Sequence, residues 1–187
     1  MKTLFINCCV RKDSRTLTLA RHYLNGISEE IIELTLENEH ISYLDGESLK
    51  KRDKILQRGD MNAPELRYAK QFAEAEHIVI AAPYWDLSFP ALLKCYLEAV
   101  TVLGVTFCYS KGVPKGLCKA DKLVYITTAG GEIFTDFGYS YVQALAQNFY
   151  GIKNTVCFKA ENLDVDGVNV SDILTKTMKE IDIYKSK

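Results

Sequence analysis

Residues 78–100 read IVIAAPYWDLSFPALLKCYLEAV and contain a strand, a loop and a helix. Ile78 to Ala82 is apolar without alternation, as expected of a strand that is buried on both faces of a parallel sheet. Pro83, Tyr84 and Trp85 follow at the carboxyl end of that strand, where open α/β sheets bind their ligands. The stretch therefore predicts a buried parallel strand followed by exposed flat rings that suit a flat ligand.

Strand and helix patterns alternate on both sides of this stretch. Apolar stripes at helical spacing separate four further predicted strands, which are Thr3 to Asn7, Ile31 to Leu36, Leu123 to Thr128 and Thr155 to Phe158. This alternation predicts an α/β protein with a doubly wound, five-stranded parallel sheet of order 2-1-3-4-5, in one domain over residues 1–187. Residues 104–121 lack a regular pattern, and Phe107 and Tyr109 within them favour an ordered lid.

Composition and charge narrow the possible functions. The chain carries 23 Lys and Arg against 24 Asp and Glu, and its net charge of −1 favours neither a nucleic-acid nor a membrane partner. No apolar run reaches the roughly 18 residues of a bilayer span. The six cysteines form no CxxC pair and no cluster with histidine, which predicts free thiols, a cytoplasmic location and no metal site.

Three segments follow strands at the same predicted edge of the sheet. The first places Ser14 and Thr16 at a helix N-terminus, where hydroxyls and unpaired N–H groups bind phosphate, although simple N-capping by Ser14 gives the same pattern. The second is the Pro83 loop. The third, Thr128 to Gly131, contains two glycines, which either form a plain turn or let a ligand approach the backbone closely. Together the three loops predict a site for a planar ring with a phosphate tail.

Four segments carry a resemblance that covers nearly the whole chain: LFINCCVRKDSRT, AAPYWDLSFPALLKCYLE, GVTFCYSKGVPKGL and ITTAGG. Together they resemble the FMN-dependent NAD(P)H oxidoreductases of flavodoxin-like fold, the azoreductase and quinone reductase group. The resemblance implies a ping-pong enzyme that binds FMN, takes hydride from NADH or NADPH, and reduces a quinone, azo or nitro compound. It further implies no catalytic side chain and a homodimer in which Phe107 and Tyr109 cover the partner's flavin.

The resemblance also implies which residues contact the cofactor. Ser14, Arg15 and Thr16 would hold the FMN phosphate. The isoalloxazine contacts would come from the second and third loops, namely Pro83, Tyr84, Trp85, Asp86, Leu87, Thr128, Ala129, Gly130 and Gly131. The family usually has serine at the position of Cys9, and a thiol is a weaker donor than a hydroxyl, so Cys9 is expected to contribute through its backbone N–H.

Two alternative functions fit some of the same residues. Cys9, Arg15 and Thr16 match the C-x5-R-[S/T] loop of low-molecular-weight tyrosine phosphatases, in which the cysteine is a nucleophile of lowered pKa. That alternative lacks the usual late Asp-Pro-Tyr loop and leaves the second and third loops unexplained. A non-enzymatic flavodoxin-type electron carrier is the other alternative, although such carriers tend to be strongly acidic. The sequence distinguishes neither NADH from NADPH nor one electron acceptor from another.

Overall fold

A computed structural model of the chain describes residues 2–28 and 30–186. Its main sheet has five parallel strands: β1 (Lys2–Asn7), β2 (Glu30–Thr35), β3 (His77–Ala81), β6 (Lys122–Thr128) and β7 (Asn154–Ala160). They lie in the order β2-β1-β3-β6-β7. Counted along the chain within this sheet, the order is 2-1-3-4-5, so the predicted topology is confirmed.

The described residues also form six α-helices, of which the last follows the final strand: α1 (Arg15–Leu24), α2 (Gly46–Arg58), α3 (Arg67–Glu74), α4 (Ala91–Val100), α5 (Tyr139–Leu145) and α6 (Val170–Lys185). Short 3-10 helices cover Leu36–Asn38 and Pro64–Leu66, and a π-helical turn over Ala146–Tyr150 extends α5. Within the described ranges, no helix combines the length and the apolar character that crossing a membrane requires.

The central strand β3 is buried along its whole length because helices cover both faces of the sheet. Ile78 and Ile80 pack in one apolar cluster with residues of α3, α4 and α5. Val79 and Ala81 point the other way, into a second cluster with residues of α1 and α6. This two-sided burial explains why the strand sequence is apolar without alternation.

Capping residues set the helix boundaries that periodicity left uncertain. Helix α2 begins at Gly46, because Asp45 and Ser48 form a reciprocal capping box. It ends at Gly59, whose φ of 69° is readily adopted by glycine. Helix α3 is preceded directly by a turn of 3-10 helix at Pro64–Leu66, which begins with a proline.

The segment over residues 104–121 forms an antiparallel hairpin of β4 (Phe107–Ser110) and β5 (Val113–Gly116). Its Gly116 lies against the backbone of Tyr150 and Gly151, just before β7 begins. The hairpin therefore lies at the amino edge of the sheet, opposite the three predicted loops. The segment is ordered as expected, but it does not cover the site of its own protomer.

Candidate functional site

The three predicted loops meet at the carboxyl edge of the sheet around one cavity of about 260 Å³. Most of the residues expected there line this cavity: Cys9, Ser14, Arg15, Thr16, Pro83, Tyr84, Trp85, Thr128, Ala129 and Gly130. Asp86, Leu87 and Gly131 belong to the same loops but do not line it. Parallel strands bring the loops together, because their carboxyl ends share one edge.

The amino end of α1 forms the end of the cavity where phosphate binding is predicted. The Ser14 hydroxyl caps the helix by accepting a hydrogen bond of 3.2 Å from the Leu17 N–H. Among the described residues, the N–H groups of Arg15 and Thr16 have no acceptor, so both remain available to an anion. The buried hydroxyls of Thr16 and Thr128 lie 2.6 Å apart and join the first loop to the third.

Cys9 is turned toward its own chain. Its N–H donates to the Asn7 side-chain carbonyl at 3.0 Å, and its thiol lies 3.8 Å from the Ala81 carbonyl oxygen. The expected backbone donor at Cys9 is therefore already engaged. Burial raises the pKa of the Cys9 thiol, against the opposing effect of a hydrogen bond with Ser14. A nucleophilic cysteine requires the opposite shift, so this arrangement disfavours the phosphatase alternative.

The aromatic loop is built on a tight turn. Trp85 and Ser88 exchange backbone hydrogen bonds of 3.1 and 2.8 Å, and the two residues between them have positive φ, 48° at Asp86 and 68° at Leu87. Left-handed backbone costs energy at residues other than glycine, so the surrounding contacts must enforce this turn. The Ser88 hydroxyl donates to the Phe137 carbonyl at 3.1 Å, which fixes the turn against the loop before α5.

Tyr84 is held at both ends. Its N–H donates to the Thr128 carbonyl at 3.0 Å, and its hydroxyl donates to the Thr135 carbonyl at 2.9 Å. The neighbouring Trp85 side chain remains 38 % exposed at the cavity. The pair thus presents one fixed ring and one accessible ring, which is the arrangement that stacking with a flat ligand requires.

A fourth segment contributes to the cavity and was missed by the sequence analysis. Leu163 and Asp164 lie after β7, and their N–H groups donate to the carbonyls of Ala129 and Gly130 at 3.2 and 2.9 Å. A methyl group on Gly130 would lie 2.4 Å from an Asp164 carboxylate oxygen, so only glycine fits without displacement. The available signal was positional, since this segment follows a strand at the same sheet edge.

Charges around the cavity are balanced. The Arg15 guanidinium donates to the Asp164 carboxylate at 2.7 Å and to the Leu163 carbonyl at 3.0 Å. Arg11 and Asp13 add one charge of each sign to the lining and, with Val10, are further residues that the sequence analysis did not single out. An anion at the start of α1 therefore competes with Asp164 for the Arg15 guanidinium. It meets no such competition at the free N–H groups of the helix.

The third loop supplies further bare amide groups. In the part of the chain that the structure describes, the N–H groups of Gly130 and Gly131 make no hydrogen bond. They are therefore available to carbonyl oxygens or to developing negative charge on a ligand. The cavity thus combines free helix amides at one end, aromatic rings along one wall and the free amide of Gly130 along another, a donor set that suits FMN.

Comparisons with known proteins agree with this fold. A family model described as the flavodoxin-like fold matches residues 1–183. The chain is 36 % identical to an FMN-dependent NADH:quinone oxidoreductase of Coprothermobacter proteolyticus, over 90 % of this chain and 89 % of that protein. It is also 36 % identical to a protein of the same name from Clostridium beijerinckii, over 95 % and 94 %. An azoreductase crystal structure from Bacillus anthracis superposes with a TM-score of 0.87 at 22 % identity and 98 % coverage of both chains.

Proposed function

The chain belongs to the flavodoxin-like fold family, and on that premise we propose that it is an FMN-dependent NADH:quinone oxidoreductase. The observation that carries the proposal is the convergence of three loops on one cavity, with free amide groups of α1 at one end and the rings of Tyr84 and Trp85 beside it. Quinones are the proposed acceptors, and azo and nitro compounds are further acceptors of the same flat, electron-poor kind. The named relatives favour NADH over NADPH.

In this proposal different parts of the cavity bind the phosphate and the ring system of FMN. The N–H groups of Arg15 and Thr16 bind the FMN phosphate, assisted by the Ser14 hydroxyl and the Arg15 guanidinium. Trp85 would offer its exposed ring to the isoalloxazine, while Tyr84 fixes the position of the loop. Because the Arg15 guanidinium is also bonded to Asp164, we expect the helix amides to provide most of the phosphate affinity.

Bound FMN supplies the two-electron chemistry that no side chain provides. The protein's own contribution would be to orient the ring and to offer the free N–H group of Gly130 to negative charge on it. Cys9 is buried and its thiol stays protonated, so it takes no part as a nucleophile. No other side chain of the lining is assigned an acid or base role.

The proposed site continues into an exposed aromatic surface, and we propose that a second copy of the chain covers it. Phe134 and Phe137, on the loop before α5, are 75 % and 62 % exposed. Phe137 adjoins the turn of the aromatic loop through the bond that its carbonyl accepts from Ser88. Exposed apolar patches beside a site commonly mark protein interfaces. A homodimer also allows the hairpin residue Tyr109, which is 56 % exposed, to reach the partner's site from the opposite edge, whereas Phe107 is buried against Phe149 of its own protomer and is not available for this role.

We further propose that the protein works in the cytoplasm. All six cysteines are free, although Cys8 and Cys9 are adjacent in sequence. Unpaired thiols are typical of a reducing compartment, which is also where NADH is supplied.

Flavin binding is tested by titrating the purified protein with FMN and following the quenching of flavin fluorescence. We expect one FMN per chain, a yellow protein after desalting, and NADH oxidation that depends on added 1,4-benzoquinone. Trp85→Ala should weaken FMN binding about tenfold through lost stacking. Tyr43→Ala is the matched control, because Tyr43 is 72 % exposed and lies outside the cavity. A protein that stays colourless with saturating FMN contradicts the proposal.

The dimer is tested by light scattering after gel filtration. Phe137→Ser should shift the protein toward the monomer, whereas Tyr43→Ser removes an equally exposed ring elsewhere and should leave the mass unchanged. A wild-type mass equal to one chain, about 21 kDa, at all concentrations contradicts this part of the proposal without affecting flavin binding.

A further inference from the structure

A second cavity, of about 230 Å³, adjoins the first on the opposite face of the sheet. Strand β6 separates the two, because successive side chains of a strand point to opposite faces. Thr128 lines the first cavity and Thr127 lines the second. Tyr84 lines both, so its ring forms part of the wall between them. The family resemblance assigns no ligand to this second cavity.

The floor of the second cavity is aromatic and contains one unsatisfied hydroxyl. Tyr125 and Thr127 are only 1 % and 4 % exposed. The rings of Tyr125 and Tyr139 lie 5.9 Å apart and are tilted by 40°. In the described part of the chain, the Thr127 hydroxyl has no hydrogen-bond partner. A buried hydroxyl without a partner is destabilising, so this group favours a ligand that can donate or accept a hydrogen bond.

The rim of the cavity carries one carboxylate bonded to a neutral serine and one ammonium group that is ion-paired. Asp136 accepts a hydrogen bond of 3.0 Å from the Ser140 hydroxyl. Lys159 forms a salt bridge of 2.9 Å with Glu161. Burial raises the pKa of Cys157, in the wall, to about 12, so that wall is neutral. The wall beneath the rim is therefore uncharged, so a ligand that lies against it needs no charge of its own.

Gly138 keeps the floor of the cavity open. A methyl group there would lie 3.3 Å from the Tyr125 hydroxyl. The φ of Gly138 is −87°, which other residues also adopt, so the glycine is not required by the backbone turn. Its absent side chain instead leaves room beside the Tyr125 hydroxyl, which extends the space next to the Thr127 hydroxyl.

We propose that this cavity binds a small neutral phenol, with the ring among Tyr84, Tyr125 and Tyr139 and the phenol hydroxyl bonded to Thr127. The cavity exceeds the roughly 150 Å³ that suffices for benzene in a protein interior. Aromatic walls and one unsatisfied hydroxyl, that of Thr127, match one ring with one hydroxyl. The charged side chains of the rim remain in contact with water, while the ring of the bound phenol is removed from water.

The identity of the natural ligand rests on the proposed function. When 1,4-benzoquinone receives a hydride from NADH and a proton from water, the products are NAD⁺ and hydroquinone, a neutral phenol. Hydroquinone released from the flavin site would thus find a second binding site beside the ring of Tyr84. Binding of phenol itself does not require the redox reaction, so the two proposals can fail separately.

The test is calorimetric titration of the protein, with FMN at saturating concentration, against phenol and against toluene. Toluene has the same ring and a methyl group in place of the hydroxyl. We expect one phenol per chain and about fivefold weaker phenol binding in Thr127→Val, with toluene binding unchanged or stronger. Thr177→Val is the control, because Thr177 is a buried threonine on α6, at the other face of the sheet.

A second variant keeps the test decisive if Thr127→Val folds poorly. Gly138→Ala narrows the floor of the cavity and should weaken the binding of phenol and of toluene by a similar factor. The proposal is overturned if wild-type protein binds no phenol at millimolar concentration, or if Thr127→Val and wild type discriminate phenol from toluene equally. Active NADH:quinone reduction without phenol binding would remove this inference and leave the proposed function intact.

Discussion

Lowering the pH should destabilise the protein through His77, the first residue of β3. His77 is 1 % exposed, with its ring nitrogens 3.3 Å from the Thr3 hydroxyl and 3.2 Å from the Tyr23 hydroxyl. Burial, together with the neighbouring positive charge of Lys122, lowers the pKa of His77 from 6.5 to about 3. The folded protein therefore holds this ring neutral at pH values where the unfolded chain protonates it.

The sign and the size of the effect follow from proton linkage. Since the pKa of His77 is lower in the folded state, its stabilising contribution is complete above about pH 6.5 and is lost as the pH falls toward 3. The two pKa values give a loss of about 2 kcal/mol between about pH 8 and about pH 5. Protonation of His77 costs this much because it moves a charge into the apolar interior.

Urea unfolding of wild type and His77→Gln at several pH values measures this contribution. Glutamine is neutral and can both donate and accept, so it keeps polar contacts with Thr3 and Tyr23 without a titrating proton. The unfolding free energy of wild type minus that of His77→Gln should fall by about 2 kcal/mol from about pH 8 to about pH 5, because only wild type loses the contribution of a neutral His77. Comparing the two proteins cancels carboxylates such as Glu33, whose pKa is also lowered. A difference that stays constant over this range would refute the assignment.

Four further variants probe the candidate site. Cys9→Ser should keep most NADH:quinone activity, because the thiol faces the protein's own backbone; loss of activity would reinstate a chemical role for it. Gly130→Ala should lower the free energy of unfolding by about 1 kcal/mol and alter FMN affinity, because its methyl group overlaps Asp164. A methyl group at Gly131 has open space, so Gly131→Ala should change neither the stability nor the FMN affinity. Thr16→Val should lower the free energy of unfolding in urea by about 1 to 2 kcal/mol, because it leaves the buried Thr128 hydroxyl without its hydrogen-bond partner. A variant as stable as wild type would contradict that hydrogen bond.

The sequence predicted the sheet and most of the site for one physical reason. A strand covered on both faces is apolar throughout, which identified residues 78–82 and the parallel arrangement. Parallel strands then bring their following loops to one edge, so Ser14, Tyr84 and Gly130 were expected to meet although they are far apart in the chain. The structure brings these three residues to the same cavity.

Features that depend on tertiary contacts were not predictable in the same way. The turn at Asp86 and Leu87 contains no glycine, so its left-handed backbone arises from the pairing of its flanking residues and from the bond between Ser88 and Phe137. Asp164 was missed because the predicted fifth strand ended at Phe158, two residues before the true end at Ala160. Its role in the lining comes from backbone bonds to the third loop, which no local pattern encodes.

The end of β6 shows why the sequence led to one cavity when the structure contains two. Thr127 and Thr128 are adjacent threonines, and the pattern Thr-Thr-Ala-Gly-Gly suggests only a strand that runs into a glycine turn. A strand alternates its side chains, so one hydroxyl bonds to Thr16 on the α1 face and the other enters the cavity beneath Tyr84. The sequence contains both hydroxyls, but which of them obtains a partner is decided by the helices that cover each face. Thr128 obtains one from the first turn of α1, whereas Thr127 faces open space between the sheet and the loop before α5, and its hydroxyl is therefore the one available to a second ligand.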